Sequence, residues 1–460
     1  MCVHYSLLTT HGSRYNLYMT APQQTALTSV SVDEALEGIL AYFSPLEPVS
    51  VELADALGLV LAEDISSDID LPPFDNSSMD GYAVIAEDVE GATSESPVRL
   101  RVSGYLPAGA APGPNDQVER GTAFRIMTGA PIPPGADAVV PFESTDQGRS
   151  LASPGLQPQD SRAEQTDLGG DVLIYKGVRR GDYVRNIGED VRRGESVLTA
   201  GTLIRPAEIA VLAAVGRKSV RVHRRPRVVV LATGDELVDV DRVPGPGQIR
   251  NTNNYAAAAQ LTSWGAVAFN IGVARDDRDH LTAKLNEALD LKPDLLVTSA
   301  GVSVGDYDIV KEVLMSMGNI SMWRVRVKPG KPLAFGRLGA ARVPFLGLPG
   351  NPVSSMVSLE LFGRPAVMRM LGKTHLQRPI ITARALEPLE NRGGRTHYMR
   401  GIVSREGNEY VARAAGKQES NILTAMSRAN ALLIVDESVS LVQVGEPVRA
   451  LMLDWPEEVF

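Results

Sequence analysis

The chain is 460 residues long, carries a formal net charge of −9 and has one cysteine, Cys2. That length calls for about three domains. The acidic balance argues against a broad nucleic-acid-binding face, and a lone thiol excludes an intrachain disulfide, which fits a reducing cytoplasm. The six histidines are scattered with no pair at zinc-ligand spacing, and no apolar run is long enough to span a bilayer.

Residues 1–20 lack an uninterrupted apolar segment, so they do not read as a signal peptide. They read as a tail, or as an over-extended start with Met19 as initiator. Ser31-Val32-Asp33-Glu34 is a capping box, and the spacing of Val32, Ala35, Leu36, Ile39, Leu40 and Phe43 predicts a helix. A second short helix is expected at 53–57, stopped by Gly58. From 67 to 184 the texture changes to short β-like runs at 98–102, 124–127 and 138–141 between Gly/Pro turns, which predicts a compact β module. In it the polar stretch 71–84 carries Phe74, Met79 and Tyr82 and reads as a turn with a hydrophobic anchor. Residues 147–170 read as a surface loop. Pro206 opens a helix that Gly216 ends.

An α/β segment follows. Residues 228–232 form a buried-strand run ending in Thr233-Gly234-Asp235-Glu236. A helix is expected at 255–264 with Asn253 as its cap, then a strand at 266–274 ending in Arg275-Asp276-Asp277, and a helix at 281–289. The run Leu295-Leu296-Val297 leads into Thr298-Ser299-Ala300-Gly301-Val302-Ser303-Val304-Gly305-Asp306-Tyr307-Asp308. The strand bearing Trp323 and Arg324 runs into Lys328-Pro329-Gly330-Lys331-Pro332. Residues 346–352 end in Pro349-Gly350-Asn351-Pro352 before a long apolar helix. This alternation calls for parallel strands with right-handed crossovers, so the carboxylates of Asp235, Glu236, Asp276, Asp277, Asp306 and Asp308 should converge on one edge of the sheet, where ligands bind. Glycine-rich loops expose N–H groups to anions, carboxylates suit a hard cation, and lysines hold phosphate. The expected ligand is phosphorylated and accompanied by a divalent metal. After about 374 the strands at 380–383, 397–403, 410–415, 431–435 and 447–452 predict a small β barrel or sandwich.

The expected fold is therefore a multidomain α/β plus β chain, elongated, with a doubly wound, mostly parallel central sheet. Its segments are a tail (1–22), a discontinuous helical/β domain (23–66 with 185–224), the inserted β module (67–184), the α/β domain (225–373) and a C-terminal β domain (374–460).

Seven motifs in order carry a resemblance. They are Asp75-Asn76-Ser77-Ser78-Met79-Asp80-Gly81-Tyr82-Ala83-Val84, Ile126-Met127-Thr128-Gly129-Ala130-Pro131, Gly188-Glu189-Asp190, Thr233-Gly234-Asp235-Glu236-Leu237, Gly301-Val302-Ser303-Val304-Gly305, Lys328-Pro329-Gly330-Lys331-Pro332 and Gly347-Leu348-Pro349-Gly350-Asn351-Pro352. From about residue 29 onward the sequence resembles the MoeA family of molybdopterin molybdenumtransferases, which is related to the E domain of gephyrin. The resemblance implies insertion of molybdate into adenylylated molybdopterin with release of AMP, a need for Mg²⁺, a cytoplasmic location, and a homodimer with shared active sites. Molybdopterin-pathway enzymes and recipient molybdoenzymes would be its other partners, with no nucleic acid and no membrane.

It assigns activity to Asp80, Thr128, Glu236, Asp276 and Asp308, with Asp80 and Thr128 supplied by the second subunit. Asp276 and Asp308 would hold the metal, and Glu236 would be a third ligand or a base for water. Substrate contacts fall to Thr233, Gly234, Asp235, Ser299, Gly301, Ser303, Gly305, Arg324, Lys328, Lys331, Pro349, Asn351, Pro352 and Ser420. For Asp276, Asp277 and Asp308 the competing role is helix capping. Ala300, Arg324 and Ile187 depart from the glycine, lysine and arginine usual in relatives. Two other functions share parts of the pattern: adenylylation of molybdopterin, and a non-catalytic dimeric scaffold.

Overall fold

The computed structural model describes residues 28–147, 169–299 and 309–456. The expected tail, most of the 147–170 loop, and Gly301, Ser303, Gly305, Asp306 and Asp308 lie outside the described residues. The chain divides into two compact units, 1–46 with 225–460, and 47–224.

The first unit is built on a seven-stranded sheet. Its strands are β1 (Thr28–Val30), β2 (Arg227–Thr233), β3 (Val267–Ala274), β4 (Leu295–Ser299), β5 (Gly318–Val325), β6 (Pro332–Leu338) and β7 (Val343–Leu348), ordered β1-β5-β6-β7-β4-β2-β3. Helices α1 (Val32–Leu40), α2 (Asn253–Ser263), α3 (Arg278–Asp290), α4 (Ile309–Met317) and α5 (Pro352–Ser358) flank it, and α5 continues through a π-helical turn into α6 (Arg364–Met370). Alternate residues of each strand face opposite sides. Val228, Val230, Leu295, Val297 and Phe335 pack with α1, α2, α5 and α6, while Val229, Leu231, Leu296 and Phe345 pack with α3 and α4. Covering both faces with helices is what makes these strands near-continuous apolar runs.

The sheet is mostly parallel, as expected, apart from one reversed strand, and one helix sits elsewhere than its expected grouping. β6 is antiparallel to both neighbours, because the short links on either side of it allow hairpins and not crossovers. Helix α1, grouped by sequence with 185–224, instead seats Ala35, Leu36 and Ile39 on the central sheet, and β1 pairs parallel with β5. Gly38 permits that seating, since a Cβ there would come within 2.9 Å of the Trp323 ring.

The C-terminal strands β8 (Ile380–Ala385), β9 (Thr396–Glu406), β10 (Glu409–Ala414), β11 (Ala431–Val435) and β12 (Pro447–Met452) close into a barrel, because β9 pairs with both β10 and β11. Residues Val327–Lys328 add to the barrel edge, with Lys328 opposite His397.

The second unit contains a five-stranded sheet that includes Gly81–Val84, Val98–Leu106, Thr122–Ile126, Ala138–Pro141 and Asp171–Ile174. It also contains an antiparallel ribbon of Pro48–Glu52 with Ser219–His223. Only Leu53–Asp55 of the helix expected at 53–57 forms, as a single 3₁₀ turn.

Candidate active site

Strands β2, β3, β4, β5 and β7 all run in one direction, so their carboxyl ends share an edge. The 326–331 link between β5 and the reversed β6 turns over on that same edge.

At the β2 end Thr233 is buried and Gly234 takes φ +140°. A side chain at Gly234 would collide with the Glu236 carboxylate, so glycine is what lets Glu236 fold back over the loop. The Gly234 N–H donates to the Ala274 carbonyl at 3.1 Å, and the Asp276 N–H donates to the Asp235 carboxylate at 3.2 Å. The β2 and β3 loops are thereby joined. Asp277 accepts from the His280 N–H at 2.8 Å and is the cap of α3. The Glu236 and Asp276 carboxylates are exposed and carry no hydrogen bond or ion pair among the described residues. At the β4 end Thr298 and Ser299 are buried, with hydroxyls that find no partner there.

The other side of the edge is cationic. Arg324 and Lys331 are exposed and Lys328 is half-buried. None of the three forms an ion pair among the described residues. Gly330, at φ +104°, lies so close to α5 that a Cβ would collide with the Ser358 hydroxyl, which fixes the height of the lysine loop above the helix. Pro352 occupies the first turn of α5, where its missing N–H costs nothing. Asn351 donates to the Ser420 hydroxyl at 3.1 Å, and Asn253 donates to the Gly350 carbonyl at 2.7 Å. Asn253 is thus the first residue of α2 and a tie to the proline loop, not the helix cap expected of it.

Two residues beside this edge were not anticipated from the sequence. Arg400 is fully buried in β9. It donates to the carbonyls of Lys417 and Glu419 at 3.3 and 3.2 Å, with Nε and Nη1 unpartnered among the described residues, and burial pushes its pKa down to about 10. His397, 1 % exposed, is pushed down to about 3 by burial and then by the Lys328, Arg400 and Arg395 charges. The available signal was an arginine inside an apolar β run, since a buried arginine normally needs a partner.

Among the described residues no three His, Cys, Asp or Glu side chains gather as a metal set. The oxygen donors of Glu236 and Asp276 nonetheless suit a hard dication better than a soft one.

In the second unit Asp80 accepts from both the Thr128 N–H, at 2.7 Å, and its hydroxyl, at 2.8 Å. The two loops therefore form one exposed element. Tyr82 is the buried anchor of the 71–84 stretch, edge-on to Phe142 at 5.5 Å. Phe74 is 42 % exposed.

Residues 30–216 match the family model for the MoeA N-terminal region (domain I and II). Residues 229–369 match a probable molybdopterin binding domain, and 382–453 match the MoeA C-terminal region (domain IV). Molybdopterin molybdenumtransferase 1 of Mycobacterium tuberculosis is 34% identical over 443 residues, covering 92% of this chain and 99% of that one. The molybdopterin molybdenumtransferase of Bacillus subtilis is 33% identical over 445 residues, covering 94% and 97%. The crystal structure of a molybdopterin biosynthesis MoeA protein from Pyrococcus horikoshii aligns with a TM-score of 0.73 at 31% identity, over 93% of this chain and all of that one.

Proposed function

The chain belongs to the MoeA family, and from that premise we propose that it inserts molybdenum from molybdate into adenylylated molybdopterin, releasing AMP. One observation carries the reading: carboxylates and cations that are unpaired among the described residues occupy opposite sides of the same strand-end edge. A phosphoanhydride and a dianionic oxyanion need those two surroundings side by side.

Glu236, Asp276 and Asp308 are the residues that would hold Mg²⁺. The ion would supply charge neutralisation for the phosphate oxygens as AMP leaves. Lys328 and Arg324 would hold molybdate near the dithiolene. Ser299 and the Thr233-Gly234 turn would orient the phosphates, and Lys331, Pro349, Asn351, Pro352 and Ser420 would shape the pocket wall. This is largely positioning work, a contribution on the order of 7–11 kcal/mol. The active assembly is a cytoplasmic homodimer in which the Asp80–Thr128 element completes the partner's site.

Anaerobic AMP release from adenylylated molybdopterin is the test. Release should require both molybdate and Mg²⁺, and Asp308→Asn should abolish it in a folded protein. Adenylylation of molybdopterin from MgATP would instead mark a different step of the same chemistry.

A further inference from the structure

The pairing of β9 changes character at Arg400. On one side Arg400 lies opposite Leu432 of β11. On the other side the register with β10 starts at Gly401, opposite Ala414, where β10 ends. The acceptor for the Arg400 N–H is therefore a side chain. Gln418 Oε1 accepts from that N–H at 2.9 Å, while Nε2 donates to the Arg400 carbonyl at 3.0 Å and to the Gly416 carbonyl at 2.9 Å. An amide carries donor and acceptor together, so the Gln418 side chain stands in for a strand neighbour. The Arg400 guanidinium grips the same loop through the Lys417 and Glu419 carbonyls.

What the loop carries is Ser420. Its hydroxyl accepts from the Asn351 side chain at 3.1 Å. Its carbonyl accepts from the Val353 N–H at 3.3 Å. Val353 is in the first turn of α5, where helix N–H groups have no acceptor within the helix. Both contacts fall on the proline loop and the helix it opens. A continuous path of hydrogen bonds thus runs from β9 through Gln418 and Ser420 to the strand-end edge.

We propose that Gln418 is a positioning residue of the candidate site. By holding the 416–420 loop against β9 it sets where Ser420 stands, and through Ser420 it sets the height of Asn351 and the proline loop. Its own amide is engaged by β9 and by its own loop, so it acts through Ser420 and not on the substrate. The proposal rests on the reading of the strand-end edge as the substrate site.

Steady-state AMP release by Gln418→Met, Ser420→Ala and the double variant tests it, with amide hydrogen exchange at Val353 as a readout independent of activity. Gln418→Met keeps the length of the side chain and removes its donor and acceptor. It should raise KM for adenylylated molybdopterin about 2- to 10-fold, the scale of one hydrogen bond lost from a pocket wall, with kcat near wild type. The double variant should be no worse than Ser420→Ala, because residues that act through one contact are not additive. The Val353 amide should exchange faster while those of 401–406 keep their protection. Gln418→Glu keeps the acceptor and loses the donor; it should shift both readouts in the same direction, and it carries the test if Gln418→Met does not fold. Unchanged KM, a loss carried by kcat alone, full additivity in the double variant or unchanged exchange at Val353 would each overturn the proposal. Wild-type protein that released no AMP would overturn the reading of the site instead, a distinct failure, since faster Val353 exchange in the variant would still uphold the link from Gln418 to the proline loop.

Discussion

His397 illustrates how a single buried side chain is made to tolerate its surroundings. Burial first, and then the charges of Lys328, Arg400 and Arg395, disfavour its protonation, and the backbone of Glu390 opposes them only weakly. The imidazole therefore stays neutral in the folded barrel far below its ordinary value of 6.5. Because the folded pKa is depressed, the unfolded chain takes up a proton that the folded chain refuses. Its contribution is fully present above 6.5 and is lost as pH falls toward about 3. The melting temperature of the wild type should thus drop more steeply from about pH 7.5 to about pH 5 than that of His397→Gln. Parallel curves for the two proteins would remove His397 as the source. The same neutral ring keeps a fourth positive charge out of a region where Lys328 and Arg400 form no ion pair among the described residues.

At the scale of elements, the alternation of apolar runs with glycine-rich turns was enough to place Glu236, Asp276, Ser299 and Arg324 at strand ends. Shared direction then brought those ends to one edge. Three things were not legible, each for a physical reason. An amphipathic stripe such as that of α1 says that one face is buried but not which surface covers it. A link of a few residues around β6 changes strand direction without changing the apolar pattern. Arg400 meets the loop at 417–420 only because the barrel closes, a long-range fact absent from any local window. Capping, by contrast, sorted itself by geometry: Asp277 is the cap, and Asp276 is left with its carboxylate unengaged.

The Gly81–Val84 strand shows how tightly an element can constrain a functional loop. A Cβ at Gly81 would run into the Val140 carbonyl of the neighbouring strand. The Phe142 N–H donates to the Asp80 carbonyl at 3.1 Å, so any shift of the strand passes to the residue that grips Thr128. Gly81→Ala should cost about 1–3 kcal/mol of stability through overpacking, read as a lower denaturant midpoint, and should depress turnover further than the stability loss explains. A variant with unchanged midpoint and turnover would mean that the neighbouring strand yields freely.

For the whole molecule, the decisive matter is that the candidate site residues fall in two units of one chain. Glu236, Asp276 and the cations belong to the unit of 225–460, whereas Asp80 and Thr128 belong to that of 47–224. Asp80 uses its carboxylate to fix Thr128 and is exposed while doing so. The pair is thus a fixed, exposed element of its own unit. If it meets the second copy's acid-lined edge, then Asp80→Ala and Glu236→Ala inactivate different halves of each composite site. A mixed dimer of the two single variants holds one site in which both substitutions meet and one in which neither does. Subunit exchange between the two inactive homodimers should therefore restore AMP release, at about half the wild-type rate per heterodimer if the two sites act independently. Heterodimers isolated with two different affinity tags and found inactive would place Asp80 and Glu236 in the same chain's site and remove the shared-site arrangement.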